Sequence, residues 1–349
     1  MRTINAIYTT ELGREWTNER LLPRFQECVD RLPLGEPERV RLRDFVRFQL
    51  VGQRARRVMP EWEGLGTFAS RAAAFEAGAD HLLDALAAQI APAADAAGVT
   101  FDAVVGTTAT GNLMPGLSYR MARRLGGLVR RDSLMVDLAN VGCTGSVKAL
   151  SLVRSLEPSL RNVLIAAVEV PTTLVDIAGT TLDVWQGNCT FGDGAAALWI
   201  GSEPRAGGLA VEDIRYRQRV DTGLDLIRWA YHDYYAFALA DQKTFDEQVR
   251  EIVTQTLGEA EAGWKEEPRW AIHPAGIILL MKIARKLGIP TDAVHPSTAH
   301  YRRRSNMSSA SILYVLDEVA RTTPPGGAIN LLTMGAGFNV LYGRVRRLP

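Results

Sequence analysis

The chain alternates short apolar runs with longer amphipathic ones, and that rhythm predicts its elements. Residues 2–8 read as a first strand, and residues 17–57 as charged, mostly helical sequence that Pro33 and Pro37 break into two helices. Residues 68–98 predict a long alanine-rich amphipathic helix, and Phe101–Thr108 a buried strand. A polar turn over 109–116 leads to a helix over 117–125. Residues 132–140 have strand length, and apolar positions at 147, 149/150, 152/153 and 156 give helical spacing. Residues 162–170 are nearly all apolar, the mark of a strand buried on both faces. The order strand, helix, strand, helix, strand predicts an α/β arrangement.

The second half repeats the rhythm. Glycine-rich residues 187–194 predict a loop with a tight turn pinned by Asp193, followed by a buried strand over 195–200. The Glu-Pro-Arg-Ala-Gly-Gly stretch at 203–208 predicts a boundary, giving halves of 1–204 and 205–349. Strand 209–217 comes next, then an aromatic loop carrying Trp229, Tyr231, Tyr234, Tyr235 and Phe237, then a helix over 243–262. A short strand runs into His273, and helices follow over 277–287 and 310–321. Breakers at Pro324–Gly327 stop the last helix, and strands over 328–334 and 339–342 close the chain.

Composition narrows the class. Of 349 residues, 47% are hydrophobic and 23% charged, with a net charge of +1, which describes a globular chain. Near-neutral charge gives no overall argument for nucleic acid or a membrane surface. No run approaches transmembrane length and no signal-peptide core opens the chain, so a cytoplasmic location is expected. Three scattered cysteines, Cys28, Cys143 and Cys189, fit neither a disulfide framework nor a metal site.

Chemistry concentrates at Val141-Gly142-Cys143-Thr144-Gly145, where a strand turns into a helix. A thiol there meets unpaired backbone N–H groups and the positive end of a helix dipole, which should lower its pKa and favour a nucleophilic thiolate. On position alone, the residue reads first as a buried, inert cysteine packed under a helix. His273 stands at a strand-to-loop junction, and Asn306 precedes a helix at a favoured capping position. A Cys/His/Asn set suits acyl transfer followed by decarboxylative carbon–carbon bond formation. The thiolate carries the acyl group, while neutral His and Asn donate to a second thioester carbonyl and stabilise the enolate. Arg54, Arg56 and Arg57, three arginines in four positions, read as a solvated helix end or as a phosphate site.

These motifs resemble the thiolase-superfamily condensing enzymes, and among them the type III polyketide synthases of the chalcone and stilbene synthase-like group. The matching stretches are Gly142-Cys143, Phe191-Gly192-Asp193-Gly194-Ala195-Ala196-Ala197, His273-Pro274 with Gly276, and Asn306-Met307-Ser308-Ser309-Ala310 with its continuation to Glu318. The resemblance covers about residues 100–342 and implies a thiolase fold of two similar α/β halves in five αβαβα layers. It implies a homodimer, no metal, and no cofactor beyond coenzyme A or carrier-protein thioesters as substrates, with a malonyl-type extender. It makes Phe191 a gatekeeper between tunnel and cysteine, Gly187 a cavity-lining glycine, and Met114 a residue that closes the partner's cavity. Glu169 resembles a buried family glutamate, and the Arg54/Arg56/Arg57 segment falls where the family contacts coenzyme A phosphates. Gly276 belongs to the substrate-binding loop after His273.

The departures are informative. Thr333-Met334-Gly335-Ala336-Gly337-Phe338 lacks the family's first glycine and is nearer the ketoacyl-ACP synthase III relatives, and an apolar residue near Leu174 replaces a cavity threonine. A second gatekeeper falls among Tyr234, Tyr235 and Phe237. The alternative is therefore a ketosynthase III-like enzyme that condenses or transfers one acyl group from a carrier protein. A degenerate, non-catalytic subunit conflicts with the intact Cys143/His273/Asn306 set. A dinucleotide-binding protein lacks its G-x-G-x-x-G after the first strand.

Overall fold

Strands buried on both faces need helices on both sides, and this chain meets the need twice. The structure is a computed structural model that describes residues 2–50, 55–58, 62–221, 223–231, 234–258 and 264–349. The first half contains β1 (Thr3–Glu11), β2 (Arg14–Thr17), α1 (Asn18–Asp30), α2 (Glu36–Leu50), β3 (Ala55–Val58), α3 (Phe68–Ala96) and β4 (Phe101–Thr108). It continues through α4 (Leu117–Leu125), β5 (Val129–Ala139), α5 (Gly145–Arg154), β6 (Asn162–Glu169), α6 (Leu182–Thr190) and β7 (Gly194–Gly201). The second contains β8 (Leu209–Gln218), α7 (Gly223–Leu226), β9 (Ile227–Tyr231), β10 (Tyr235–Leu239), α8 (Gln242–Gly258) and β11 (Trp270–Ile272). Then come α9 (Ile277–Leu287), α10 (Thr291–Arg304), α11 (Ser311–Thr322), β12 (Ala328–Gly335) and β13 (Asn339–Arg347).

The halves share one pairing scheme. In the first, β1 pairs antiparallel with β7, β7 antiparallel with β6, and β6 parallel with β4. In the second, β8 pairs antiparallel with β13, β13 antiparallel with β12, and β12 parallel with β11. The first half adds β5, parallel to β4 and at the sheet edge. The two half-sheets join where Thr3 and Ile4 pair with Ala210 and Leu209.

Side-chain alternation makes the layers. β6 sends Val163, Ile165 and Ala167 to one core and Leu164, Ala166 and Val168 to another. The first core holds α5 and α11 between the half-sheets, through Val147, Leu150, Ile312 and Leu316. The second packs α3 and α4 on the outside of the first half-sheet, and a third packs α8 and α9 on the outside of the other. The result is the expected five-layered αβαβα body. A fourth core packs α1, α2 and α6 together through Phe25, Val46 and Trp185. Among the described residues no helix is long and apolar enough to cross a membrane.

Several local expectations change. Residues 187–190 are the end of helix α6 and not loop, because burial of Trp185 and Cys189 overrides the poor helix propensity of Gly187 and Asn188. The aromatic loop is the hairpin β9–β10, whose backbone register pairs position 229 with 237 and position 231 with 235. Helix α10, with Pro296 inside it, has no clear apolar stripe and was not foreseen. Arg56 and Arg57 lie on β3, paired with Trp16 and Glu15, so they do not end a helix. Arg54 and the side chains of Arg56 and Arg57 lie outside the described residues.

Candidate active site

Both helices of the middle layer begin at one place. A 3-10 turn, Gly142–Thr144, feeds α5, and another, Ser308–Ala310, feeds α11. Cys143 and Asn306 therefore meet beneath two helix N-termini, whose unpaired N–H groups favour developing negative charge. Gly142 has φ +63°, a conformation that suits glycine, and this sharp turn presents the thiol. Gly335 approaches the same turn so closely that a Cβ on it would lie 3.0 Å from the Cys143 N.

Asn306 is not a helix cap, since α11 begins five residues later. Its backbone is held between halves: its N–H donates to the Thr190 carbonyl at 2.9 Å, and its carbonyl accepts from Gly192 N–H at 3.0 Å. Its Oδ1 accepts from Ser308 N–H at 2.8 Å. With the oxygen occupied, the amide nitrogen is left as the group to donate into the cavity. Fully buried Glu169 braces the next residue, accepting from Ser309 N–H at 3.2 Å and from the Ser309 hydroxyl. Its other oxygen accepts from Ala109 N–H at 3.0 Å and Thr110 Oγ1 at 2.9 Å. Burial pushes the Glu169 carboxyl up, against these hydrogen bonds.

Two chambers share the thiol. The outer one, about 450 Å³, is lined by Cys143, His273 and Asn306, by Phe45 and Phe48 of α2, and by Gly276 and Ile278 at the start of α9. The inner one, about 420 Å³, is lined by Cys143, Ser308, Thr110, Asn140, Trp229 and Tyr235. Phe191, Phe237 and Ile227 wall both. The Phe191 and Phe237 rings stand edge to face at 5.6 Å, and Trp229 joins them at 5.9 Å from Phe237. Phe237 is thus the aromatic opposite Phe191. Tyr234 instead packs on Phe68.

His273 is fully buried on the outer chamber wall, and neither ring nitrogen bonds another described residue. Burial lowers it to about 3, so the ring is neutral at ordinary pH. The Cys143 thiol is partly accessible, but the surrounding protein pushes it up to about 12, with Ser308 and Asn306 pulling the other way. The expected lowering by the helix terminus is not met, because desolvation is the larger effect.

Other expected site residues sit elsewhere. Gly187 lies one layer behind the wall, where a Cβ would come 2.7 Å from the Phe237 Cβ, so it makes room for Phe237 and is not on the lining of either chamber. Met114 is 97% exposed and on neither lining. Phe45, Phe48, Ile227 and Ser308 were not singled out by sequence; the serine was legible in the Asn-Met-Ser-Ser run.

Residues 239–338 match the family description "Chalcone and stilbene synthases, C-terminal domain", and residues 136–216 match "3-Oxoacyl-[acyl-carrier-protein (ACP)] synthase III". The C-terminal type III polyketide synthase domain of Steely1, a type I/III hybrid from Dictyostelium, aligns with a TM-score of 0.83 at 18% identity, over 100% of this chain and 99% of that one. The fold is that of the type III polyketide synthases. A second such synthase, 1,3,6,8-tetrahydroxynaphthalene synthase from Streptomyces coelicolor A3(2), gives 0.83 at 18% identity over 100% of both chains. CsyB complexed with CoA-SH gives 0.81 at 21% identity over 99% of this chain and 100% of that one. Within this polyketide synthase fold, one family description spans His273 to Asn306 and the other spans Cys143.

Proposed function

We propose that this chain is a type III polyketide synthase-like acyltransferase that joins acyl thioesters by decarboxylative Claisen condensation. The observation that carries the reading is the shared thiol: Cys143 opens to both chambers, while His273 and Asn306 line only the outer one. The Cys143 sulfur attacks an acyl thioester and releases its thiol, which takes the cysteine proton. Neutral His273 is the basic group on the same wall and relays that proton. The acyl chain lies in the inner chamber. A malonyl-type thioester then occupies the outer chamber, with its carbonyl oxygen facing His273 and the Asn306 amide. Loss of carbon dioxide leaves an enolate whose charge these donors and two helix N-termini stabilise. Its carbon attacks the acyl carbonyl, forming the new carbon–carbon bond and returning the thiolate.

Phe191 and Phe237 act as the gate, and Gly276 begins the wall along the thioester arm. The division at 204/205 separates the half carrying Cys143 from the half carrying His273 and Asn306. A homodimer pairs two β5 edges, since β5 is an 11-residue edge strand with Leu134 40% exposed. In that dimer the exposed Met114 reaches the partner's inner chamber. The donor is a coenzyme A thioester, as the CsyB complex with CoA-SH suggests by analogy, with Arg54, Arg56 and Arg57 near its phosphates. The apolar lip formed by Phe48 and Ile278, 57% and 53% exposed, keeps a carrier-protein donor as the second reading. The test incubates the protein with acyl-CoA and labelled malonyl-CoA. Labelled carbon dioxide and a β-keto product support condensation, and their absence with both coenzyme A and carrier-protein thioesters refutes it. A triple Arg→Ala variant should raise KM for coenzyme A thioesters at low salt with kcat nearly unchanged.

A further inference from the structure

The turn that carries Asn306 is strained at both ends. Ser305 has φ +62° and Ser308 φ +46°, a region that side-chain-bearing residues rarely adopt. It persists because its N–H groups are held from outside and within. Asn306 N–H meets the Thr190 carbonyl, Ser308 N–H meets the Asn306 amide, and Ser309 N–H meets Glu169. Ser305 N–H donates to the Tyr301 carbonyl at 2.8 Å, and Met307 N–H to Ser311 Oγ at 2.7 Å.

Ser311 is itself held. Its Oγ lies 3.1 Å from Nε2 of His300 on α10, and His300 is 1% exposed. Because Oγ accepts from Met307, its own proton is best used toward Nε2, which assigns His300 the neutral form with hydrogen on Nδ1. His300 is not on either chamber lining; it lies on a polar cleft of about 500 Å³ with Glu11, Arg303, Arg304 and Tyr314. Arg304 pairs with Glu11, Arg303 with Glu318, and the Tyr314 hydroxyl donates to the Thr10 carbonyl at 2.5 Å. Burial, the two arginines and nearby His273 keep His300 neutral.

We infer that His300, through Ser311, is a positioning residue that fixes the Asn306 turn for decarboxylation. The inference rests on the condensing reaction proposed above. His300 touches neither chamber, so it does not contact substrate; it sets where the Asn306 amide points. In acyl loading that amide is only one of several groups acting on the Cys143 thiol, whereas decarboxylation uses it as a donor to the enolate, so unequal losses in the two half-reactions separate the role from general stability.

The test uses the full chain with His300→Gln, His300→Leu and Ser311→Ala, checked for folding by thermal unfolding. Acyl loading is read by intact mass, and carbon dioxide release from malonyl-CoA by label. His300→Leu and Ser311→Ala should lower the rate of release roughly tenfold, with the loading rate changed much less and malonyl-CoA KM unchanged. His300→Gln, which returns an acceptor oxygen near the Nε2 position, should recover most of the loss. If His300→Leu does not fold, Ser311→Ala, smaller by one oxygen, decides alone. Wild-type release in folded variants, or equal loss of loading and release, overturns the inference. No release from the wild-type protein with any malonyl thioester overturns the condensing reading, and this inference with it.

Discussion

Replacing Asn306 in two ways separates its fold role from its chemical one. Its Oδ1 accepts Ser308 N–H at 2.8 Å, and both residues are buried. Asn306→Ala leaves that N–H unpaired, a cost of about 1–3 kcal/mol, and removes one donor to the enolate, a cost of about 10²–10³ in rate. Asn306→Asp keeps an acceptor for Ser308 but places a carboxylate where the enolate forms. Both variants should therefore unfold at a lower urea midpoint than wild type, the alanine variant for the unpaired N–H and the aspartate variant for its buried carboxyl, which shifts with pH. Both should still load acyl groups on Cys143, more slowly because the amide no longer lowers the thiol, and should release labelled carbon dioxide from malonyl-CoA at least about a hundredfold more slowly. Aspartate with wild-type release, or alanine with wild-type stability, would refute the reasoning.

Burial pushes Cys143 up to about 12. Its alkylation by iodoacetamide, corrected with Cys143→Ala, should still rise about tenfold per pH unit through pH 9. A plateau below pH 8 would mean that the helix termini outweigh desolvation. His273 is lowered to about 3, so an unfolded chain binds a proton below its ordinary value of about 6.5 that the folded chain does not. Stability should fall as pH drops from 6.5, by about 1.4 kcal/mol per unit from this group, and His273→Gln should flatten the slope of urea midpoints; an unchanged slope contradicts this. Gly187→Ala puts a Cβ 2.7 Å from the Phe237 Cβ, so it should lower stability by about 1–3 kcal/mol and alter the size of acyl group accepted. Unchanged stability together with an unchanged acyl-CoA preference would contradict it.

The strands were legible because their signal is local and redundant. β6 is apolar at successive positions, and burial on both faces is the arrangement that such a run requires. The turn at Cys143 was legible because Gly142 marks a positive φ. Elements held by tertiary contact were not. α6 carries Gly187 and Asn188, yet Trp185 fixes it in the core with α1 and α2. The β9–β10 aromatics do alternate with period two, a strand signal that the density of ring residues masked. The thiol's upward shift could not be foreseen, since the local helix terminus is written in sequence and the enclosing walls are not. Nor could the His300–Ser311 contact, which crosses from α10 to α11. The Cys143, His273 and Asn306 cluster was visible as three motifs; their common cavity came only with the fold.

The central claim is a covalent acyl group on Cys143. Incubation with acyl-CoA thioesters, followed by intact and peptide mass spectrometry, tests it most directly. The account predicts one acyl group per chain on the peptide containing Cys143, absent from Cys143→Ala and discharged as product when malonyl-CoA is added. Acylation of Cys28 or Cys189 instead, or an acyl group on Cys143 that malonyl-CoA leaves in place, would contradict it.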